Sequence, residues 1–158
     1  MRRLAATALL AGALAGCGSA GVDRLPPPAG PNRSSPVPAL GGALTAVVDG
    51  RARLLELYDA RTRRRVGSAA AGIGPTQVAC LRRGGWCWVL DTRGGALLVF
   101  KLHGRGDPEL TRRLYLPGMP DAISVDRRRG RLRVRLSASG EVVELPAHGR
   151  PYVIRRTA

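Results

Sequence analysis

The stretch PTQVACLRRGGWCWVLDTRGGALLVF (residues 75–100) gives the clearest indication of the fold, because PDAISVDRRRGRLRVRLSASGEVVEL (residues 120–145) repeats its pattern. The offset between the two copies is constant at about 45 residues, a period typical of arrays of supersecondary units. Each copy consists of short apolar runs separated by Gly, Arg, Ser and Pro. In residues 131–136, RLRVRL, apolar and basic side chains alternate with the period of two that indicates a β-strand.

An earlier copy precedes these two with slightly different spacing. It includes VVDG at residues 47–50 and LLELY at residues 54–58. The second of these segments could form a helix in isolation, but its repeat partners, residues 97–102 and 142–145, favour a strand. No stretch after Cys17 predicts a helix. We therefore expect an all-β chain with about three copies of a four-stranded unit, the outer two copies being incomplete.

The order of the motifs resembles the YVTN/NHL-like β-propeller repeat. LYDART (residues 57–62) corresponds to the strand and Asp-x-x-Thr of that repeat, Gly74-Pro75 to its Gly-x-Pro, and WCWVLD (residues 86–91) to its Tyr-Val-Thr-Asn strand. The resemblance covers nearly all of residues 44–157 and implies propeller-type blades. Closed propellers use four or more blades, so about three blades imply a ring closed by another chain, an open array or a fragment.

Closure by a second copy is one of these alternatives. Two chains placed head to tail would make six blades, so the sequence favours a homodimer over an open monomer. This prediction assumes apolar open sides, which soluble monomers rarely expose beyond a few hundred Å². The residues expected near those sides are Val47, Leu55, Leu57, Leu132, Val134 and Val143.

The N-terminus has the features of an export signal. Arg2 and Arg3 precede an uncharged run, residues 4–15, which is shorter than the about 20 residues that span a bilayer and predicts a secretory signal peptide. The end of this segment, LAGC (residues 14–17), resembles the bacterial lipobox. In that motif the Cys thiol takes a diacylglycerol, and the signal peptide is then cleaved just before the Cys. The resemblance implies lipidation of Cys17; the alternative is an ordinary signal peptide with a chance Cys.

The remaining chain divides into a tether and a domain. Residues 1–16 are the predicted leader, and residues 17–42 are rich in Pro, Gly and Ser, which predicts an extended tether after the lipidated Cys17. Residues 43–158 have the length of one domain. We expect a protein on the outer, extracytoplasmic face of the cell membrane, held by membrane lipid through Cys17.

The chain is strongly basic, with 26 Lys and Arg residues against 11 Asp and Glu and a net charge of +15. This charge favours an anionic surface or partner, whereas export argues against nucleic acid. In propeller blades the first-to-second and third-to-fourth strand connections lie on one face. The arginines of those connections are the predicted anion- or partner-binding residues: Arg61, Arg63, Arg82, Arg83, Arg105, Arg127, Arg128, Arg129 and Arg150. The alternative is that they only keep the turns soluble.

The opposite face carries the other turns and the links between blades. Ligand sites of propellers commonly lie on one face near the central channel, an analogy at the level of the fold. The residues predicted on this face are Asp49, Gly50, Thr92, Arg93, Ser137 and Ser139, with the inter-blade residues Thr76, Gln77 and Asp121. His103 and His148 fall a blade apart, too far to share a metal or a proton. The sequence predicts no catalytic residue, metal or cofactor; a binding or scaffolding module is favoured, with a propeller-type lyase or hydrolase as the alternative.

Two cysteines flank a predicted hairpin connection. Strand alternation lets the thiols of Cys80 and Cys87 oppose each other, and such a pair normally oxidises outside the cytoplasm. The alternative is a pair of buried free thiols.

Trp86 and Trp88 flank Cys87 and point to the opposite face of the strand from it. We expect them to pack between blades; the alternative is that they stack against a sugar.

The lipobox yields a direct test of export. Cys17→Ser removes the thiol that would take the diacylglycerol, so we expect loss of fatty-acid labelling and either release of the protein or retention of its leader. Metabolic labelling and membrane fractionation measure both effects against the wild-type chain. Unchanged partitioning of the variant into the membrane would contradict lipidation at Cys17.

Overall fold

Twelve short strands form three antiparallel sheets of four strands each in a computed structural model that describes residues 32–147 and 155–157. The first sheet, blade 1, consists of β1 (Val37–Ala39), β2 (Leu44–Asp49), β3 (Leu54–Asp59) and β4 (Arg65–Ala70). Blade 2 consists of β5 (Pro75–Cys80), β6 (Trp86–Asp91), β7 (Ala96–Lys101) and β8 (Glu109–Tyr115). Blade 3 consists of β9 (Pro120–Asp126), β10 (Arg131–Leu136), β11 (Val142–Pro146) and β12 (Arg155–Thr157).

In every blade the strands follow the chain order, and β5 lies between β1 and β9. The described residues contain a single short 3₁₀ turn, Leu40–Gly42, and no helix among them is long and apolar enough to cross a membrane. The prediction of an all-β chain with about three four-stranded blades is confirmed, as is the strand over residues 54–58. The predicted leader, Cys17, His148 and Arg150 lie outside the described residues.

The first blade is more complete than its sequence suggested. β1 pairs with β2, with Val37 opposite Ala46 and Ala39 opposite Leu44. Ala39 is fully buried in the core between blades 1 and 2. This strand falls inside residues 17–42, the predicted tether, so folded structure begins before residue 43. A strand of three residues, such as β1, is too short for the alternating pattern to indicate it.

Two apolar cores lie on either side of blade 2. Cys87, Val89 and Phe100 pack with residues of blade 1, whereas Trp88 and Leu90 pack with residues of blade 3. Because successive side chains of a strand point to opposite faces, the unbroken apolar run in β6 serves both cores at once. All five of these side chains are fully buried, and burial of each large one stabilises the fold by about 1.5–3 kcal/mol.

The expectation of apolar open sides is wrong for five of the six residues named. Val47 is the exception, because it is buried but lies on the face of β2 opposite Ala46 and Val48, outside the core between blades 1 and 2. Leu55 and Leu57 pack in the core against blade 2. Leu132, Val134 and Val143 likewise pack against blade 2 from the other side. Because successive side chains of a strand point to opposite faces, the charged side chains of these strands point away from blade 2, as in the capping units of repeat proteins.

The outward surfaces of the terminal blades carry ion pairs. On blade 3, Arg131 and Arg133 lie 2.9 and 3.5 Å from the carboxylate oxygens of Glu144. On blade 1, Glu56 lies 3.3 Å from Arg33 and 3.1 Å from Arg65. The argument for a homodimer from exposed apolar sides therefore loses its premise, and the dimer stays a prediction.

Cys80 and Cys87 are directly opposite each other in the β5–β6 pair and are joined by a disulfide, with their Cα atoms 4.1 Å apart.

The expected packing of Trp88 between blades 2 and 3 is confirmed, since it is fully buried in that core. Trp86 is half-buried, and the Lys101 ammonium lies 4.6 Å from the centre of its ring. One face of the Trp86 ring is thus already occupied by a cation.

The disulfide closes a loop of about eight residues and should stabilise the fold by about 2–3 kcal/mol, mainly through the unfolded chain. We expect Cys80→Ala combined with Cys87→Ala to lower the free energy of urea-induced unfolding by this amount. The reduced wild-type chain is the matched control and should behave like the double variant. In a Cys17→Ser background, thiol titration of the unfolded, unreduced chain should find no free thiol; two reactive thiols would contradict the bond.

Candidate functional site

Aspartates at strand ends shape the turns that carry the functional arginines. The Asp49 carboxylate accepts hydrogen bonds from the backbone N–H groups of Arg51 and Ala52, at 2.9 and 2.8 Å. Asp59 accepts in the same way from Arg61 and Thr62, at 3.1 and 2.7 Å. These side-chain-to-backbone bonds replace the strand ladder where the chain reverses. Each such turn has the pattern Asp-x-Arg, which places an arginine at the tip.

The predicted basic surface lies on the connections that the sequence indicated. Its residues are in the β3–β4, β5–β6, β7–β8 and β9–β10 connections, and all are exposed. Neighbouring connections touch, since the Gly41 N–H donates to the Arg82 carbonyl oxygen. We call this surface the basic loop face, and it comprises Arg61, Arg63, Arg82, Arg83, Arg105, Arg127, Arg128 and Arg129.

Two of these arginines are engaged by acidic side chains. The Arg105 guanidinium lies 2.6 Å from the carboxylate of Asp59 and so ties blade 2 to blade 1. Arg129 lies 4.0 Å from Asp126 within its own turn. In the part of the chain that the structure describes, the other six have no ion-pair partner. Arg105 is therefore a link between blades as well as a member of the surface.

The other acidic side chains near this face, and His103, also have hydrogen-bond or ion-pair partners. The His103 ring nitrogen lies 2.8 Å from the Glu109 carboxylate, and both side chains are exposed. The Asp107 carboxylate accepts a hydrogen bond of 2.9 Å from the backbone N–H of Ser68. Within residues 32–147 no group of three or more His, Cys, Asp and Glu side chains could hold a metal ion.

The opposite face contains an open cleft of about 440 Å³ between blades 1 and 2. We call it the inter-blade cleft. Its walls are the β2–β3 turn, the link into β5, the β6–β7 turn and the segment before β1. Its lining residues are Asn32, Arg33, Gly50, Arg51, Arg53, Ile73, Gly74, Pro75, Thr76, Thr92 and Arg93.

The sequence placed part of this lining on the correct face but missed three of its four arginines, Arg33, Arg51 and Arg53. Thr92 and Arg93 were expected on this face, whereas Arg51 and Arg53 were not singled out. The signal that could have found them is the Asp-x-Arg pattern, which occurs as Asp49-Gly50-Arg51 and as Asp91-Thr92-Arg93. Two turns at equivalent places in adjacent blades bring their tips to the same cleft.

Asp91 fixes the walls of the inter-blade cleft. Its fully buried carboxylate accepts backbone hydrogen bonds from Ile73 at 3.0 Å, from Gly74 at 2.8 Å and from Gly94 at 3.0 Å. It thereby holds the link before β5 against the β6–β7 turn. A Cβ atom at position 74 would lie 2.6 Å from the Cγ atom of Arg93, so glycine there lets the arginine side chain cross the link.

Two residues expected on this face are engaged in contacts between or within blades. The Gln77 side-chain amide donates to the Asp121 carbonyl oxygen at 2.9 Å and accepts from the Ile123 N–H at 3.2 Å. The Asp121 carboxylate lies 2.8 Å from the Arg135 guanidinium. The Gln77 side chain therefore connects blade 2 to blade 3, whereas the Asp121 side chain pairs with the neighbouring strand of its own blade.

Comparison with known proteins defines the class of fold. No family model and no curated protein matches the chain. Among solved structures, the dihydro-heme d1 dehydrogenase NirN in complex with DHE is similar with a TM-score of 0.68 and 23% identity, over 79% of this chain and 28% of that one. Hydrazine synthase of Kuenenia stuttgartiensis is similar with a TM-score of 0.64 and 14% identity, over 75% and 34% of the two chains.

A third similar structure is the β-propeller domain of Myceliophteria thermophila Cps50 (Swd1), with a TM-score of 0.57 and 16% identity, over 73% of this chain and 38% of that one. The chain spans roughly a third of the length of these structures. At such identities the likeness shows the fold alone. The chain has a β-propeller fold, with three blades that do not close into a ring in this structure.

Asp59 gives the fold a pH dependence that can be measured. The Thr62 backbone N–H, the Arg105 guanidinium and the Thr62 hydroxyl hold the pKa of Asp59 far below its usual range. Acidification therefore protonates the unfolded chain first, below about pH 4, and the stabilisation disappears as the pH falls through the lower pKa of the folded state. We expect the free energy of unfolding to fall with acidification, and to fall less steeply in Asp59→Asn.

Urea unfolding at a series of pH values measures this slope. Asp107→Asn is the matched control, because that carboxylate is exposed and accepts one hydrogen bond from a neighbouring blade. Its slope should stay close to that of the wild type. An Asp59→Asn slope equal to the wild-type slope would contradict the assignment.

Proposed function

We propose that this protein is a lipid-anchored, extracytoplasmic binding module that docks through its basic loop face on an anionic membrane surface. The observation that carries the proposal is the set of six exposed arginines on one face that have no ion-pair partner among the described residues. These are Arg61, Arg63, Arg82, Arg83, Arg127 and Arg128.

The acidic groups of the basic loop face do little to neutralise it. Asp59 is buried, and its carboxylate is bound by Arg105 and by its own turn. The Asp126 carboxylate accepts hydrogen bonds from the N–H groups of Arg128 and Arg129, at 3.0 Å each. Backbone N–H groups, Arg105 and Arg129 bind these carboxylates, so the other six arginine side chains stay available to an external anion.

Anchoring and docking reinforce each other in this proposal. A lipid on Cys17 keeps the domain near the bilayer, and a tether of Pro, Gly and Ser lets the domain reach the surface. Each arginine close to an anionic leaflet contributes about 1 kcal/mol, and this attraction decays within a Debye length. Several arginines on one face then suffice to orient the domain on the membrane.

Vesicle binding tests the docking step separately from the lipid. The chain from residue 17 onward carrying Cys17→Ser is sedimented with phosphatidylglycerol vesicles and with phosphatidylcholine vesicles. We expect binding to the anionic vesicles only. Arg82→Gln combined with Arg127→Gln should weaken it about tenfold or more, because each charge near the surface contributes about 1 kcal/mol.

The matched control is Arg51→Gln combined with Arg93→Gln. It removes the same charge from exposed turns on the opposite face, so it should leave vesicle binding nearly unchanged. Equal loss of binding in both double variants, or equal binding to neutral vesicles, would contradict docking through the basic loop face.

A further inference from the structure

We propose that the inter-blade cleft is a binding site for a small organic phosphate, of the phosphate monoester class. This site lies on the face opposite the basic loop face and does not depend on docking at the membrane. Among residues 32–147, four arginines and no acidic residue line the cleft. Clefts of a few hundred Å³ with a few convergent polar groups are typical of small-molecule sites.

Three of the lining guanidinium groups are available to a ligand. Arg33 is held by Asp49 at 2.7 Å and by Glu56 at 3.3 Å. Arg51, Arg53 and Arg93 are exposed and have no ion-pair partner within the described ranges. A guanidinium offers paired N–H donors that match two oxygens of one phosphate group, and it stays charged at all physiological pH values.

The nearby carboxylates do not compete with a bound anion for these donors. Asp49 is bound by its turn and by Arg33, and Asp91 accepts three backbone hydrogen bonds. Both are buried. Their turns are thus rigid before a ligand arrives, which lowers the entropy that binding costs.

Arg53 occupies a backbone position that favours glycine. Its φ is 59°, and Gly95 has the same φ at the equivalent place in the β6–β7 turn. A left-handed conformation costs a residue with a Cβ atom roughly 1–2 kcal/mol. Arg63, on the basic loop face, adopts the same left-handed conformation. Backbone strain of this kind therefore occurs on both faces that carry exposed arginines.

The rest of the lining suits an organic group attached to the phosphate. The cleft of about 440 Å³ is larger than one phosphate needs. Ile73 is 53% exposed at its wall, and Pro75 adds a second apolar contact. The hydroxyls of Thr76 and Thr92 lie 2.8 Å apart and can hydrogen-bond a polar substituent.

Calorimetric titration of the full-length protein in a neutral detergent with glucose 6-phosphate tests the site, with glucose as the uncharged probe. We expect saturable binding of glucose 6-phosphate and none of glucose. Arg51→Gln and Arg93→Gln should each weaken binding about tenfold or more, as expected for a lost hydrogen bond between charged groups. The matched controls, Arg82→Gln and Arg127→Gln, lie on the basic loop face and should bind like the wild type.

A second titration with short-chain phosphatidic acid, whose headgroup is also a phosphate monoester, distinguishes the source of the ligand. Displacement of glucose 6-phosphate by a lower concentration of phosphatidic acid than of glucose 6-phosphate itself would assign the site to a lipid headgroup, and weaker or absent competition would assign it to a soluble ester. Equal weakening by all four variants would show only nonspecific attraction and overturn the proposal, as would equal affinity for glucose. Vesicle docking can fail while this site stands, because the two tests use variants on opposite faces.

Discussion

The middle blade is packed on both of its faces, and the two cores of the domain depend on this one sheet. In β6, Cys87 and Val89 face blade 1 while Trp88 and Leu90 face blade 3. Each outer blade turns an apolar face to blade 2 and carries ion pairs on its other face, so neither could bury that apolar face without blade 2. The ion pairs of Glu56 and Glu144 on the outward faces show how three blades can end without exposing a large apolar surface.

The turns divide the molecule into two chemically distinct faces. Asp59 and Asp126 end strands toward the basic loop face, whereas Asp49 and Asp91 end strands toward the inter-blade cleft. The same Asp-x-Arg pattern therefore delivers arginines to both faces. On the basic loop face the arginines lie on exposed connections between strands, and on the opposite face they line the inter-blade cleft. The same residue type can thus serve an extended anionic surface on one face and a small ligand on the other.

Several arginines and polar residues hold the blades together rather than reach outward. Arg105 joins the β7–β8 connection to Asp59 of blade 1, and Gln77 joins blade 2 to blade 3 through backbone groups of Asp121 and Ile123. A charged surface residue in a repeat protein can therefore belong to the interface between units. Such contacts complement the apolar cores because buried backbone groups between blades need hydrogen-bond partners.

The sequence by itself predicted most of the strands, the number of blades and the opposition of Cys80 and Cys87, because alternation and a regular offset are local properties of the sequence. It missed β1, where three residues give too little pattern, and it placed Leu55 and Leu132 on open sides that are in fact charged. Only the tertiary structure decided which strand face meets blade 2, and only it brought Arg51 and Arg93, 42 positions apart in sequence, to one cleft. The physical reason is that burial against a neighbouring sheet and the meeting of two turns depend on how the blades pack, which no single segment encodes.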